Sequence, residues 1–285
     1  MEILSVKQTG SYLQLHEKKV YELIREGVLP HTRLGGKIVV LKEVLDRWLI
    51  EQTERERHLT LAGSDDPLMR AIIDRMNAQG PHLLFYAPVG SQPGLKALLA
   101  GGADLACVHF PIFSEKGSHG EFLDREFRGG NQIVVHLYKR QQGLIVSRSH
   151  AKGIIGLANI VGRKWRVVRR NPGSGTRLLW ESLLRQEKIP ENSFRYAPEA
   201  SSHLEAAVLV SQGEAETALG IRYVADLMGL AFVPVHQERF ELVVSYARWP
   251  NPSVKAFLSW VEHERLKREF PDYSGYSFEG SGSIL

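Results

Sequence analysis

The run Arg169-Arg170-Asn171-Pro172-Gly173-Ser174-Gly175-Thr176-Arg177 gathers residues suited to holding an anion. It follows a strand-like run (Trp165, Val167, Val168) and opens a helix-like run, residues 178–187. A small-residue turn between strand and helix leaves the first helical N–H groups unpaired, and their dipole favours a negative guest. Ser174 and Thr176 add hydroxyl donors, Gly175 lets a guest approach the backbone, and Arg170 adds a fixed charge with forked donors. A small oxyanion fits this set. A capped αβ turn with surface arginines would use the same residues.

Two earlier junctions share the chemistry. Residues 58–62 read as a strand ending in Gly63-Ser64-Asp65-Asp66-Pro67. Residues 83–86 read as another, ending in Val89-Gly90-Ser91-Gln92-Pro93-Gly94. Amphipathic helices follow both, and residues 103–110 form a third strand. Repeating βα units imply a mainly parallel α/β sheet. Its junctions line one edge, where ligands bind at the carboxyl ends of strands. Any one of these serines is an ordinary N-cap, but Ser64, Ser91 and Ser174 together with Arg170 point to a binding site. His109, Arg177 and Ser202 also sit at junctions and are further candidates. Asp65 and Asp66 would repel an anion if they faced it; in one reading Asp66 caps the helix begun by Pro67 and both point away. Facing inward, they would instead suit an organic anion carrying an amine or ring nitrogen.

Further along, residues 133–138 and 143–147 read as strands joined by a polar turn at 139–142. Residues 217–221, 232–235 and 240–246 are strands, and Asn251-Pro252 opens a last helix to about residue 268. The Gly- and Ser-rich stretch 273–285 is expected to be mobile.

The first fifth of the chain is organised differently. Ser5-Val6-Lys7-Gln8 is a capping box. A second helix starts near Glu17, with Val20, Leu23 and Ile24 at core spacing and Gly27 as its stop. Residues 33–40 form a hairpin turned by Gly35-Gly36. A third helix begins at Lys42 with Val44, Leu45, Trp48 and Leu49 inward. Residues 1–57 hold ten Lys/Arg against nine Asp/Glu, a net of +1, so one copy neutralises few phosphates.

At 285 residues, about two domains are expected. A composition of 43% hydrophobic and 24% charged residues is that of a globular protein, and the net charge of +4 permits nucleic-acid binding without requiring it. The one cysteine, Cys107, lies in an apolar run, which excludes an intrachain disulfide and suggests an inert buried thiol. No apolar run reaches the roughly 20 residues of a membrane span. The N-terminus lacks the marks of a signal peptide, so a cytoplasmic protein with no membrane partner is expected. Cys and His spacings form no metal set, and neither a Gly-x-Ser-x-Gly elbow nor a Walker lysine is present, so no cofactor and no enzymatic activity are expected.

Leu4-Ser5-Val6, Val20-Tyr21-Glu22-Leu23-Ile24-Arg25-Glu26-Gly27, Leu29-Pro30 and Leu34-Gly35-Gly36-Lys37 resemble the excisionase-like winged helix-turn-helix family. That resemblance implies a DNA-binding domain over residues 1–50. Its helix 17–26 would sit in the major groove, presenting His16, Lys18, Lys19, Tyr21 and Arg25, with Arg33 and Lys37 on the wing. A homodimer reading two half-sites of double-stranded DNA is expected. Residues 51–57 are read as a charged linker or a helix extension leading out of the module.

Residues 58–285 resemble the two-lobed periplasmic-binding-protein fold (type II). They are most similar to the binding-protein-like domains fused to bacterial helix-turn-helix regulators, and less closely to molybdate- and tungstate-binding proteins. The matching pieces are the three junctions with Gly102-Ala103-Asp104-Leu105-Ala106, Gln142-Gly143-Leu144-Ile145-Val146 and Leu219-Gly220-Ile221. The resemblance implies lobe one over 58–135 plus 245–285, lobe two over 138–240, and a hinge of two crossing strands. A regulator sensing a small oxyanion, molybdate or tungstate first, is the main expectation. The alternative is an enzyme or cofactor-handling protein using the same cleft for a larger molybdenum-containing or organic anionic ligand.

Overall fold

The apolar periodicities resolve into two sheets in a computed structural model that describes residues 2–55, 58–109, 132–154 and 156–285. The chain divides into two units, Met1–His58 and Leu59–Leu285.

In the first unit, strand β1 (Ile3–Ser5) runs into helix α1 (Val6–Leu13). The Ser5 Oγ accepts from the Gln8 amide at 3.3 Å, and Gln8 Oε1 accepts from the Ser5 amide at 2.8 Å. Helix α2 (Glu17–Arg25) follows a tight turn in which a side chain at Gly10 would press on the Leu15 carbonyl. Strands β2 (Thr32–Leu34) and β3 (Lys37–Leu41) form the hairpin, with Gly35 and Gly36 at φ +56° and +78° as a two-residue turn requires. Helix α3 (Lys42–Arg55) takes in residues 51–55 of the charged run, read above as a linker or a helix extension. Leu4, Val6, Val20, Ile24, Leu29, Val40 and Leu45 form the core. Val44 and Leu49, expected inward, are exposed, and Leu45 and Trp48 make the contact instead.

The second unit is built on one nine-stranded sheet. Its strands are β4 (His58–Gly63), β5 (Leu83–Ala87), β6 (Leu105–Val108), β7 (Gln132–Val146), β8 (Arg166–Arg170), β9 (Arg195–Ala200), β10 (Thr217–Ile221), β11 (Ala231–Ser245) and β12 (Tyr276–Ser277). They lie in the order β5-β4-β6-β11-β7-β10-β8-β9, with β12 also on β7. The long strands β7 and β11 pair antiparallel along their whole length and belong to both halves of the sheet. Helices α4 (Pro67–Gln79), α5 (Ser91–Leu99), α10 (Pro252–Trp260) and α11 (His263–Glu269) accompany the first half. Helices α6 (Leu157–Arg163), α7 (Gly175–Gln186), α8 (His203–Ser211) and α9 (Arg222–Leu227) accompany the second. Each half buries its own apolar clusters, one around Leu61, Ile72, Leu242 and Phe257 and one around Leu144, Leu157, Val167 and Trp180.

Four sequence readings change. The polar stretch 139–142 is not a turn but the middle of β7, and β11 is likewise unbroken from Ala231 to Ser245. The expected single helix after Asn251 breaks at Val261 and Glu262, where the chain turns with both Trp260 and Val261 buried. Strand β9 and helix α6 were not expected. The tail is tied down: Tyr276 and Ser277 pair with Arg140 and Lys139, and the Leu285 amide bonds the Val134 carbonyl at 2.9 Å. Cys107 is buried, and burial pushes its thiol up to about 12, as befits an inert group.

Candidate functional site

Along β7, Tyr138, Arg140 and Gln142 turn to one side and are buried, while Lys139 and Gln141 are half-exposed. Period-two alternation thus carries three polar-tipped side chains into the interior between the two halves of the sheet. The Arg140 position pairs directly with Glu238 on β11, and its Nε donates to the Glu238 carboxylate. Its Nη1 donates to the Asp66 carboxylate and to the Asp65 carbonyl at 3.2 Å, and its Nη2 lies 3.1 Å from His109 Nδ1. Burial pulls the guanidinium pKa down, but Glu238 and Asp66 outweigh it and hold it above its ordinary value. Asp66 caps α4 through Met69 at 2.8 Å and accepts from Tyr138 and Tyr276 at 2.9 and 2.8 Å. Gln142 Nε2 bonds Glu238 at 2.7 Å and the Thr176 hydroxyl at 3.1 Å, linking the crossing strands to α7. Buried charge is tolerable only when paired this fully.

His109 occupies the centre. Its Nδ1 is 2.7 Å from Ser64 Oγ, and Ser91 Oγ holds its backbone, donating to its carbonyl at 3.1 Å and accepting from its amide at 3.2 Å. Ser64 and Ser91 therefore converge as expected, but on a histidine side chain and its backbone. Arg140 can only donate, so Nδ1 is the acceptor and the proton lies on Nε2, 3.4 Å from Glu238. The ring stacks on Phe240, with centroids 5.9 Å apart, and a side chain at Gly175 would fall inside it. Ser64, His109 and Glu238 stand in the order nucleophile, base and carboxylate. Arg140 nevertheless claims the lone pair that a base would use, which argues against nucleophilic activation.

On the other half, Ser174 caps α7, accepting from the Arg177 amide at 3.2 Å, and the first residue of α7, Gly175, lies against the His109 ring. Arg170 is 4% exposed. Its Nε and Nη2 donate to the carbonyls of Ala200 at 3.2 Å and Ser201 at 3.0 Å, and its Nη1 has no partner among the described residues. Burial pushes this guanidinium down to about 10, with Asp65 the largest opposing charge. Asp65 does not point away: its Oδ2 accepts from the His203 amide at 2.9 Å, across to the start of α8. Ser202 caps α8 through Glu205 at 3.0 Å, and Arg177 is committed to Glu181 and Glu191. Arg140, Gln142 and Glu238 are the site residues that the sequence reading left out, while Asp65 takes the inward one of its two readings. The absence of any turn-forming residue in Lys139-Arg140-Gln141-Gln142 was the available signal.

His203 is buried, and burial followed by the nearby Arg170 charge holds its imidazole well below the usual range. Below about pH 6.5 the unfolded chain therefore binds a proton that the folded chain refuses, and stability falls with pH by about 1.4 kcal/mol per unit from this group. His136 and His236 shift the same way through burial. Urea midpoints are expected to drop between pH 7 and 5.5, and His203→Gln to flatten that slope.

In the first unit, His16 caps α2 by accepting from the Lys18 amide at 3.3 Å, Lys19 pairs with Glu22, and Tyr21 is half-exposed. Lys18, Tyr21, Arg25, His31 and Arg33 line one groove between α2 and the hairpin, and Lys37 lines an adjoining one with Tyr21 and Arg33. Five of the seven residues expected to meet DNA thus line these two grooves, together with Glu22 and Glu17, while His16 and Lys19 line neither.

Residues 73–262 match the PBP superfamily domain, and residues 3–53 match a helix-turn-helix domain. The uncharacterised protein YvgK of Bacillus subtilis (strain 168) is 23% identical over 303 aligned positions, covering 99% of this chain and 97% of YvgK. Among solved structures, the effector-binding domain of QuiR in complex with shikimate is similar at TM-score 0.53 and 14% identity, covering 74% of this chain and 97% of that one. The tungstate ABC transporter from Geobacter sulfurreducens is similar at TM-score 0.53 and 15% identity, with the same coverage of 74% and 97%. At such identities the likeness is one of fold. No helix among the described residues is long and apolar enough to cross a membrane, and no cluster of three or more His, Cys, Asp or Glu among them is arranged to hold a metal ion.

Proposed function

This chain belongs to the PBP superfamily, and from that footing we propose that it is a ligand-responsive DNA-binding regulator. Its helix-turn-helix module reads double-stranded DNA, and its larger unit binds a small effector bearing an anionic group. Arg170 carries this reading: a buried guanidinium nitrogen without a partner costs free energy that an anion would recover. The first-turn amides of α7 add donors at Gly175 and Thr176. Molybdate or tungstate is the inorganic candidate, since four oxygens suit such a ring of donors. Asp65, turned into the cleft, favours a second reading in which the effector is an organic anion that also carries an amine or ring nitrogen. In both readings the effector is the regulatory ligand and no resident cofactor is required.

A thermal-shift series tests the cleft. An effector at 100-fold over its dissociation constant should stabilise the protein by about 2.7 kcal/mol, and Arg170→Lys should lose the response. Footprinting upstream of the protein's own gene tests the DNA module. One copy neutralises few phosphates, so we place a homodimer on paired half-sites. Alanine at both Lys18 and Lys19 should weaken binding across all sequences and flatten its salt dependence by about one unit of slope per lost phosphate contact. An unchanged footprint and slope would remove α2 from the groove.

A further inference from the structure

Two groups of opposite charge meet at the lead-in to α8 without pairing. Arg170 approaches from β8, spending Nε and Nη2 on the carbonyls of Ala200 and Ser201 and leaving Nη1 unused. Asp65 approaches from the other half of the sheet, spending Oδ2 on the His203 amide. Its Oδ1 accepts nothing among the described residues, and no ion pair joins the two side chains. Carbonyl contacts orient a guanidinium without neutralising it, and one amide leaves a carboxylate equally unneutralised. The lead-in therefore offers an anion-seeking and a cation-seeking position within the span of residues 200–203.

A dianion such as molybdate answers Arg170 but meets Asp65 as a like charge, with the Glu238 carboxylate also buried nearby. The other buried ions give no relief, because Arg140 is already shared between Asp66 and Glu238. The planar nitrogen ring of His109, stacked on Phe240 beside Glu238, shows that the same cleft accommodates a nitrogen group facing a carboxylate. Resting on the reading of this cleft as the effector site, we infer that the effector is a small zwitterion of the amino-carboxylate class. Its carboxylate pairs with Arg170 Nη1 and its cationic nitrogen with Asp65. Such a molecule adds no net charge to the interior, and each of its ends meets a group that no ion pair satisfies.

The test uses the full chain in thermal-shift and calorimetric titrations. The zwitterionic probes are the α-amino acids and imidazole-4-acetate; the anions without a nitrogen are acetate and molybdate. At least one zwitterion is expected to raise the melting temperature where acetate and molybdate at equal concentration do not. Asp65→Asn, which keeps an acceptor for the His203 amide, is expected to weaken that zwitterion about tenfold or more, and the melt of the unliganded variant reports whether it folds. If molybdate or acetate stabilises wild type and Asp65→Asn alike, with Arg170→Lys abolishing the shift, the zwitterion is overturned while the anion-responsive reading stands. If no probe of either kind produces a shift, both fall.

Discussion

Arg140→Met is expected to destabilise the larger unit by about 3–5 kcal/mol, because it strips the countercharge from two buried carboxylates at once. Asp66 and Glu238 are 0% and 2% exposed, so water cannot replace the guanidinium. Asp66 would keep its bonds from Met69, Tyr138 and Tyr276, while Glu238 would keep Gln142 and the His109 Nε2 at 3.4 Å. For a domain of this size the melting temperature should fall by roughly 6–20 °C. The sign of the pH dependence separates this cause from simple loss of packing. Carboxylates left without a countercharge take up protons more readily folded than unfolded, so the variant should regain stability as pH falls. Adding Asp66→Asn and Glu238→Gln should recover much of the loss at neutral pH. Equal destabilisation at pH 5 and pH 8, with no recovery in the triple variant, would mean that Arg140 acts mainly by filling space.

The same network shows where the sequence could be read and where it could not. Ser5, Asp66, Ser174 and Ser202 all cap helices, because capping is decided within three or four residues of chain. The αβ order of the larger unit was legible for a similar reason: strand and helix periods repeat locally. Arg140 and Glu238 belong to a different order of information. Each looks like a surface residue until β7 and β11, almost a hundred positions apart in the chain, lie side by side and make them a cross-strand pair. A run of Lys, Arg and Gln reads as a turn by polarity alone, yet it contains none of the residues that bend a chain. Asp65 was left undecided by the same limit. Local logic allowed it to point away beside a capping aspartate or to face inward, and the non-local start of α8 supplied an amide for it.

This pattern bears on how the cleft would respond. Every contact between Arg140, His109, Gln142 and Thr176 is made by a side chain that also anchors a crossing strand or a helix start. A ligand that displaced these bonds would act on strands and helix starts of both halves, so its binding would be coupled to their relative position. Affinity then depends on the population of the form that admits the ligand.

Gly175→Ala is the variant that should act on that population most directly. A methyl group at this first position of α7 would fall inside the His109 ring, which is held by Ser64 and Arg140 and stacked on Phe240. The backbone at Gly175 is not at positive φ, so the substitution introduces no local strain and the whole effect is steric. Either the ring leaves its bonds or α7 retreats from the crossing strands, and overpacking of this kind costs about 1–3 kcal/mol. His109→Ala alone leaves a cavity and an Arg140 nitrogen without its acceptor. Joined to Gly175→Ala, it removes the clash, so the double variant should be more stable than the sum of the two singles predicts by about 0.5–3 kcal/mol. Small-angle scattering of Gly175→Ala should show a larger radius of gyration if α7 moves, and no change if only the ring yields. Strict additivity of the two substitutions would mean that His109 does not sit against α7, and the cleft as described would have to be redrawn.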